Sequence, residues 1–127
     1  MQVPLVHKML GSDSCIGIIT ADEDSLTEDH LEAVGIDSSI QLVITGVQDT
    51  ESFSQVRDNP EAELNVEKFR SEVVDVASHL IKQKENIKAI VLECTDLPPF
   101  SEDIREMSGL PVFDIVTLTN WIYGTIS

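Results

Sequence analysis

A cysteine flanked by carboxylates and a hydroxyl is the feature of this sequence best suited to chemistry. Cys94 lies between Glu93 and Thr95, and Asp96 and two prolines follow. A thiol can donate a proton, and as the thiolate it can accept a proton or attack as a nucleophile. The N-terminus of a following helix favours the thiolate, whereas the neighbouring carboxylates favour the neutral thiol. The sequence leaves open which influence dominates at Cys94.

The segments before and around this cysteine predict its place in the fold. Residues 88–92 are a largely apolar run without the alternation of a half-exposed strand, and similar runs occur at residues 15–20, 41–45 and 110–114. Continuous apolar strands are typical of parallel sheets covered on both faces. Ligands bind at the carboxyl ends of such strands, so we expect Cys94 at that edge of the sheet.

Helical signals lie between the predicted strands. Ser25 and Glu28 have the spacing of a capping box, which predicts a helix over residues 26–34. Residues 47–59 are polar, with room for one helical turn, and Asn59 before a proline predicts the start of the next helix. Apolar residues at helical spacing extend that helix: Val66, Phe69, Val73, Val76, Ala77 and Leu80.

The last third of the chain continues the alternation of strand and helix. Two prolines at residues 98–99 predict a short helix that ends at Gly109, and residues 115–123 predict a final helix. The predicted class is therefore α/β, a three-layer fold with a four-stranded parallel sheet and helices on both faces.

Charge and length exclude several classes of protein. The chain has 127 residues, which favours one domain, and 23 acidic against 8 basic residues give a net charge of −15. Nucleic-acid binding needs clustered Lys and Arg, and an anionic membrane surface attracts cations, so we expect neither partner. No apolar run reaches the ~20 residues of a membrane-spanning helix.

Cysteine and histidine usage indicates a reduced setting without a metal. Cys15 and Cys94 have neither a disulfide framework nor zinc-ligand spacing. The three histidines share no metal-ligand spacing with another ligand, so we expect them at the surface: His7, His30 and His79. A cytoplasmic location is the expectation that fits best.

At three separated places, in order, the sequence resembles the second domain of the aspartate/glutamate/hydantoin racemase superfamily. ECTDLPPF at residues 93–100 resembles the second cysteine motif of that family, and GLPVFD at residues 109–114 resembles its next strand. GIITA at residues 17–21 and SLTEDHLEAVGI at residues 25–36 are similar to the opening of its second domain. The resemblance implies one half of a pseudo-symmetric, two-domain fold with the active site in the cleft between domains.

The resemblance also implies an activity and roles for individual residues. Such enzymes are cofactor-independent amino-acid racemases, with no pyridoxal phosphate and no metal. Two cysteines, one from each domain, move a proton at the α-carbon of a small carboxylate substrate. Carried over, Cys94 is the acid/base and Thr95 binds the substrate carboxylate. Asp96 is the polar residue that assists the cysteine, and Thr20 is a further candidate for substrate contact.

The sequence departs from the family pattern because the first domain and its cysteine are absent. Residues 1–12 resemble the helix that leads out of that domain, and residues 13–127 are expected to form the single α/β domain. Cys15 begins the first strand, at the end opposite the cleft, so we expect no racemisation by this chain alone. Without a partner domain, part of residues 1–10 and part of the C-terminal segment should be exposed, and such apolar segments would favour a homodimer or other association. Apolar residues near the C-terminus are expected to lie mainly in the core: Leu118, Trp121, Ile122 and Tyr123.

Each candidate residue also has a purely structural interpretation. Cys94 could be a buried core thiol, Thr95 a helix N-cap and Asp96 a solvated carboxylate of the first turn. Glu93 fits an acid/base partner and a side chain bonded to nearby backbone equally well. For Asp114 we favour capping of the last helix. The alternative function is a non-catalytic small-anion-binding or interaction module derived from the same fold.

Overall fold

A computed structural model describes residues 2–11, 13–36 and 39–126, which form a four-stranded parallel sheet with helices on both faces. The strands are β1 (Cys15–Thr20), β2 (Gln41–Gly46), β3 (Ile87–Leu92) and β4 (Val112–Phe113), in the spatial order β2-β1-β3-β4. The helices are α1 (Val3–Leu10), α2 (Glu28–Ala33), α3 (Glu51–Asp58), α4 (Val66–Ile81), α5 (Ser101–Ser108) and α6 (Ile115–Ile126). Two short 3-10 helices cover Glu23–Ser25 and Pro98–Phe100. The predicted α/β class is confirmed.

The centre of the sheet is β1, which pairs with β2 on one side and β3 on the other. Gly17 lies in the middle of β1, and a Cβ added there would come within 2.8 Å of the Leu80 side chain. The missing side chain therefore lets α4 approach the sheet closely. Because every pair is parallel, the carboxyl ends of all four strands lie at one edge.

Two apolar cores lie on opposite faces of this sheet. On one face α4 and α5 pack against β1 and β3, and the aromatic rings of Phe69 and Phe100 meet edge to face at 5.4 Å. On the other face α1 buries Val3 and Val6 against the alternate side chains of the same strands, such as Ile18. Both faces of β1 and β3 are therefore covered, which explains their continuous apolar sequences.

None of the described side chains of the last helix, α6, is buried, as is also the case in the six-residue helix α2. Trp121, Ile122 and Tyr123 are 58%, 49% and 67% exposed, so the prediction that they lie mainly in the core is wrong. Leu118 and Trp121 of this helix line a cleft that they share with α1, and most of the apolar side chains of α6 are exposed. The predicted exposure of an apolar surface on α1 and α6 is confirmed, with Leu5 and Met9 also exposed.

The predicted start of α2 is wrong by two residues. Thr27, rather than Ser25, is the N-cap, and its hydroxyl accepts a hydrogen bond from the backbone N–H of His30 at 3.4 Å. Ser25 instead ends a 3-10 helix whose N-cap is Asp22. Residues 22–27 contain several side chains that can cap a helix. The Asp22 carboxylate accepts a hydrogen bond from the backbone N–H of Asp24 and caps the 3-10 helix, so α2 begins only after Thr27.

The predicted start of α4 at Asn59 is also wrong. Asn59 ends α3, and its side chain accepts a hydrogen bond from the backbone N–H of Glu61 at 3.3 Å in a turn. The helix begins after Asn65, whose side chain accepts from the backbone N–H of Lys68 at 3.1 Å. Residues 47–59 were predicted to have room for one helical turn. They contain the two-turn helix α3 instead, with Thr50 as its N-cap.

The end of α5 follows the sequence prediction. Gly109 adopts a φ of +70°, and its backbone N–H donates to the carbonyl of Arg105. A residue without a side chain is favoured at this left-handed position. Within the described ranges no helix is long and apolar enough to cross a membrane.

Candidate active site

Cys94 follows β3 at the carboxyl edge of the sheet, as predicted. The backbone N–H of Glu93 donates to the carbonyl of Ile19 at 2.8 Å, which extends the pairing of β3 with β1 by one residue. The backbone N–H of Leu97 then donates to the carbonyl of Cys94 at 3.2 Å, closing a turn that leads into Pro98–Phe100. The cysteine backbone is therefore held between the central strands and α5.

The cysteine lines a pocket of about 210 Å³, which we call the Cys94 pocket. Its walls come from the end of β3, the turn after it, the start of α6 and the segment before α1: Gln2, Leu92, Glu93, Cys94, Thr95, Ile115 and Leu118. Pockets for drug-sized ligands measure roughly 300–1,000 Å³, so this one suits a smaller molecule. The Gln2 amide donates to the carbonyl of Asp114 at 2.8 Å and so ties two of these walls together.

Local groups favour the neutral form of Cys94. Burial raises the pKa of its thiol, the backbone N–H of Asp96 lowers it by hydrogen bonding, and the Asp96 carboxylate raises it again. The balance is a pKa above the ordinary value. Of the two influences that the sequence left open, those that favour the neutral thiol are the stronger at Cys94.

Glu93 directs a carboxyl group into the same pocket. Burial raises its pKa above the ordinary value, because removal of water disfavours the charged form. No hydrogen bond from another described residue reaches its carboxylate. Glu93 lines the Cys94 pocket, and among the described residues its carboxylate has no hydrogen bond to nearby backbone, which was one of the two interpretations of this residue.

The structure brings together some of the predicted site residues and separates others. Thr95 is exposed and lines the Cys94 pocket. Asp96 contributes its backbone N–H to the sulfur, but the residue also lines a different, largely apolar groove between α3, α4 and the 3-10 helix Pro98–Phe100. Thr20 is buried at the end of β1, where its carbonyl accepts from the backbone N–H of Val47, and it is not among the described residues around Cys94.

Asp114 acts as a helix cap, which confirms that interpretation. One of its carboxylate oxygens accepts from the backbone N–H of Thr117 at 2.8 Å, and the other accepts from the hydroxyl of Ser101. The side chain is 2% exposed. It joins the start of α6 to the start of α5 and so holds one wall of the pocket in place.

The second cysteine, Cys15, lies at the opposite end of β1. It is fully buried, and its backbone N–H donates to the carbonyl of Asn86. A strand of this length spans roughly 16 Å, so Cys15 cannot meet a ligand held at Cys94. His30 and His79 are exposed as predicted, whereas His7 is half-buried. In the described ranges, no three His, Cys, Asp or Glu side chains are grouped to hold a metal.

Some pocket residues carry no signal in the local sequence. Gln2, Ile115 and Leu118 reach the pocket from the two ends of the chain, and only the packing of α1 beside α6 brings them to Cys94. Glu93 was the one additional candidate that the sequence identified, through its place next to the cysteine.

Similar proteins by sequence carry the name of a lyase. A "Dimethylsulfoniopropionate lyase" of Durusdinium sp. clade D is 36% identical over 129 residues, which cover 98% of this chain and 42% of that protein. "Dimethylsulfoniopropionate lyase 5" and "Dimethylsulfoniopropionate lyase 3" of Emiliania huxleyi (strain CCMP1516) are 30% and 31% identical, and the matches cover 96% and 98% of this chain. They cover 27% and 34% of those two proteins, so the chain spans less than half the length of these relatives. No protein-family model matches the chain.

A solved structure with a similar fold is an allantoin racemase from Pseudomonas fluorescens. It superposes with a TM-score of 0.59 at 19% identity, over 98% of this chain and 49% of that chain. This likeness confirms the predicted racemase-like fold. That the chain corresponds to the second, C-terminal domain of such a protein stays a prediction.

The prediction of an amino-acid racemase, and with it the isomerase class, is wrong. The similar sequences are named as lyases, and they match this chain over nearly its whole length. The error has a chemical reason, since a thiol at this edge is suited to removing a proton beside a carboxylate whichever bond changes next. The chain thus has a racemase-like fold and a sequence similar to dimethylsulfoniopropionate lyases.

Proposed function

We propose that this chain carries the proton-removing site of an enzyme that cleaves dimethylsulfoniopropionate. The observation that carries the proposal is the Cys94 pocket itself, a small pocket with a thiol, a carboxyl group and a hydroxyl at the edge of the sheet. The similarity to proteins named for that lyase activity supports it. The protein is accordingly an enzyme whose substrate is a small molecule with a carboxylate.

The reaction is an elimination in which one base is sufficient. The thiolate of Cys94 takes a proton from the carbon next to the substrate carboxylate, and the electron pair of that C–H bond becomes the carbon–carbon double bond. The bond between the next carbon and sulfur breaks, and dimethyl sulfide leaves with the bonding pair. Acrylate remains, and the proton on the Cys94 sulfur passes to water to restore the thiolate.

The raised pKa of Cys94 is compatible with this role once substrate is bound. The sulfonium group carries a positive charge, and an opposite charge close to a thiol favours the thiolate. Substrate binding therefore opposes the effect of burial. The thiol becomes a base when the molecule that it must deprotonate is present.

Elimination can proceed with the single thiol that the described part of the pocket contains. Racemisation requires a proton donor on the face opposite the base, whereas elimination requires a base and a leaving group. Among the described residues around the pocket, Cys94 is the one thiol, and Cys15 is too distant. Thr95 is suited to hold the carboxylate through its hydroxyl, as the resemblance implies.

The test is product formation by the full-length gene product supplied with dimethylsulfoniopropionate. We expect dimethyl sulfide in the headspace and acrylate in solution in equal amounts. Deuterium at both hydrogens next to the carboxylate should slow the reaction if proton removal limits its rate. Failure to release dimethyl sulfide above the rate without protein would refute the proposal.

The neutral state of the Cys94 thiol supports one other hypothesis, a non-catalytic module that binds small carboxylates. In that case acrylate or propionate would bind equally to the wild-type protein and to Cys94→Ala, with no product formed. Calorimetry with the two proteins distinguishes this hypothesis from the lyase.

A further inference from the structure

The charge inside the Cys94 pocket is of one sign. Glu93 is the single charged side chain among the described residues that line it, and no Lys or Arg is among them. Sites built for a carboxylate alone commonly use Arg or Lys as the partner. The charge distribution therefore suits a ligand that carries a positive group in addition to its carboxylate.

Glu93 is also held in a costly position. Its backbone is fixed by the 2.8 Å hydrogen bond to Ile19, so the side chain stays at the pocket. Its carboxylate is half-buried, and no described residue donates a hydrogen bond to it. Partial desolvation of a carboxylate destabilises a fold, and a cation bound beside it would offset that cost.

The remaining walls indicate which kind of cation fits. A dimethylsulfonium group presents methyl groups and has no N–H donor, so it needs a counter-charge and apolar contacts. Leu92, Ile115 and Leu118 supply apolar surface in the same pocket as Glu93. A primary ammonium, by contrast, carries three N–H donors that each require an acceptor.

We propose that Glu93 determines specificity by facing the sulfonium group of the substrate, while Leu92, Ile115 and Leu118 contact its methyl groups. This inference rests on the proposed function and adds to it the recognition of the leaving group. With the sulfonium at Glu93 and the carboxylate at Thr95, the carbon between them lies beside Cys94. Glu93 is thus a residue that selects the substrate, and Cys94 is the base.

The test compares two ligands of the same shape and different charge. One is 3-(trimethylammonio)propanoate, and the other is 4,4-dimethylpentanoate, in which a carbon replaces the nitrogen. Calorimetry with the full-length gene product should show that the wild type prefers the cationic ligand. Glu93→Gln should reduce that preference by about tenfold or more, as expected for loss of a close charge pair. Glu93→Asp, which keeps the charge, should retain most of the preference.

Activity provides a second readout and a control. For dimethylsulfoniopropionate, we expect Glu93→Gln to raise KM more than it lowers kcat. Glu102→Gln removes an exposed carboxylate on α5, away from the pocket, and should change neither constant. An unchanged preference in Glu93→Gln, or no binding of either ligand to the wild type, would overturn the inference. A wild type that binds the cationic ligand selectively but releases no dimethyl sulfide would contradict the lyase proposal and leave cation selection standing.

Discussion

The helices α4 and α6 show how differently two apolar helices are used in one small fold. In α4 the apolar residues follow a helical stripe, and four of them are buried against the sheet: Phe69, Val73, Ala77 and Leu80. In α6 there is no charged residue and no buried side chain among the described residues, although its first turns supply one wall of the Cys94 pocket, with Ile115 and Leu118. One helix stabilises the sheet, whereas the other builds the site and leaves apolar surface open beside it.

The largest contrast that we expect is in stability. Leu80 is fully buried against Gly17, so Leu80→Ala should lower the free energy of unfolding by about 2–5 kcal/mol. Trp121 is 58% exposed on α6, and Trp121→Ala should change the free energy of unfolding by less than about 0.5 kcal/mol. Urea unfolding followed by circular dichroism measures both variants. Similar losses in the two variants would mean that α6 contributes to the core as α4 does.

A smaller contrast is expected at the two helix starts. Asp114 is buried and binds both Thr117 and Ser101, so Asp114→Ala should cost about 1–2 kcal/mol. Asn65 caps α4 from an exposed position with one hydrogen bond, and Asn65→Ala should cost less. Hydrogen exchange should show faster opening of the α6 amides in the first variant. Equal losses in the free energy of unfolding would show that the hydrogen bond between Ser101 and Asp114 does not add to stability.

The cost of keeping Glu93 at the site should depend on pH. Its folded pKa is raised by burial above the ordinary value of 4.5, so the neutral acid stabilises the fold below pH 4.5, and this contribution is lost as pH rises through the folded pKa. Glu93→Gln should therefore gain stability relative to the wild type as pH rises from 4 to 8. Thermal unfolding of both proteins, with Glu102→Gln as the control, measures the difference. A difference that is constant across this range would contradict the burial of Glu93.

The weakest effect that we expect is association through the exposed surface of α1 and α6. Large apolar patches favour contact with another protein surface, and a second copy of the chain is the simplest partner. Light scattering should show a mass that increases with concentration, and Trp121→Glu should reduce that increase. A mass that is independent of concentration would remove the prediction of a homodimer.

Patterns within a few residues predicted much of this molecule. Continuous apolar runs predicted the parallel strands, Gly109 predicted the end of α5, and Asp114 was correctly expected to cap α6. Cys94 was expected at the carboxyl edge because it directly follows a strand. In each case one residue or one run determines the outcome by its own conformational preference.

The starts of two helices and the walls of the pocket could not be predicted from local sequence patterns. Ser25 and Asn59 are of residue types that can cap a helix, as are Thr27 and Asn65. The structure uses Thr27 and Asn65 as the N-caps of α2 and α4. The pocket walls depend on the packing of α1 beside α6, which no local pattern encodes. The sequence predicted a racemase where similar proteins are named as lyases, because both reactions can begin with the same proton removal and the cysteine motif marks that shared step.

In the proposed elimination, the thiolate of Cys94 removes the proton next to the substrate carboxylate. The most direct measurement compares dimethyl sulfide release by two serine variants of the full-length gene product. Cys94→Ser should lose about 100-fold or more, because a hydroxyl is a far weaker base than a thiolate, and Cys15→Ser should retain activity. If Cys94→Ser released dimethyl sulfide within a few-fold of the wild-type rate, another residue would be the base and the account would be wrong.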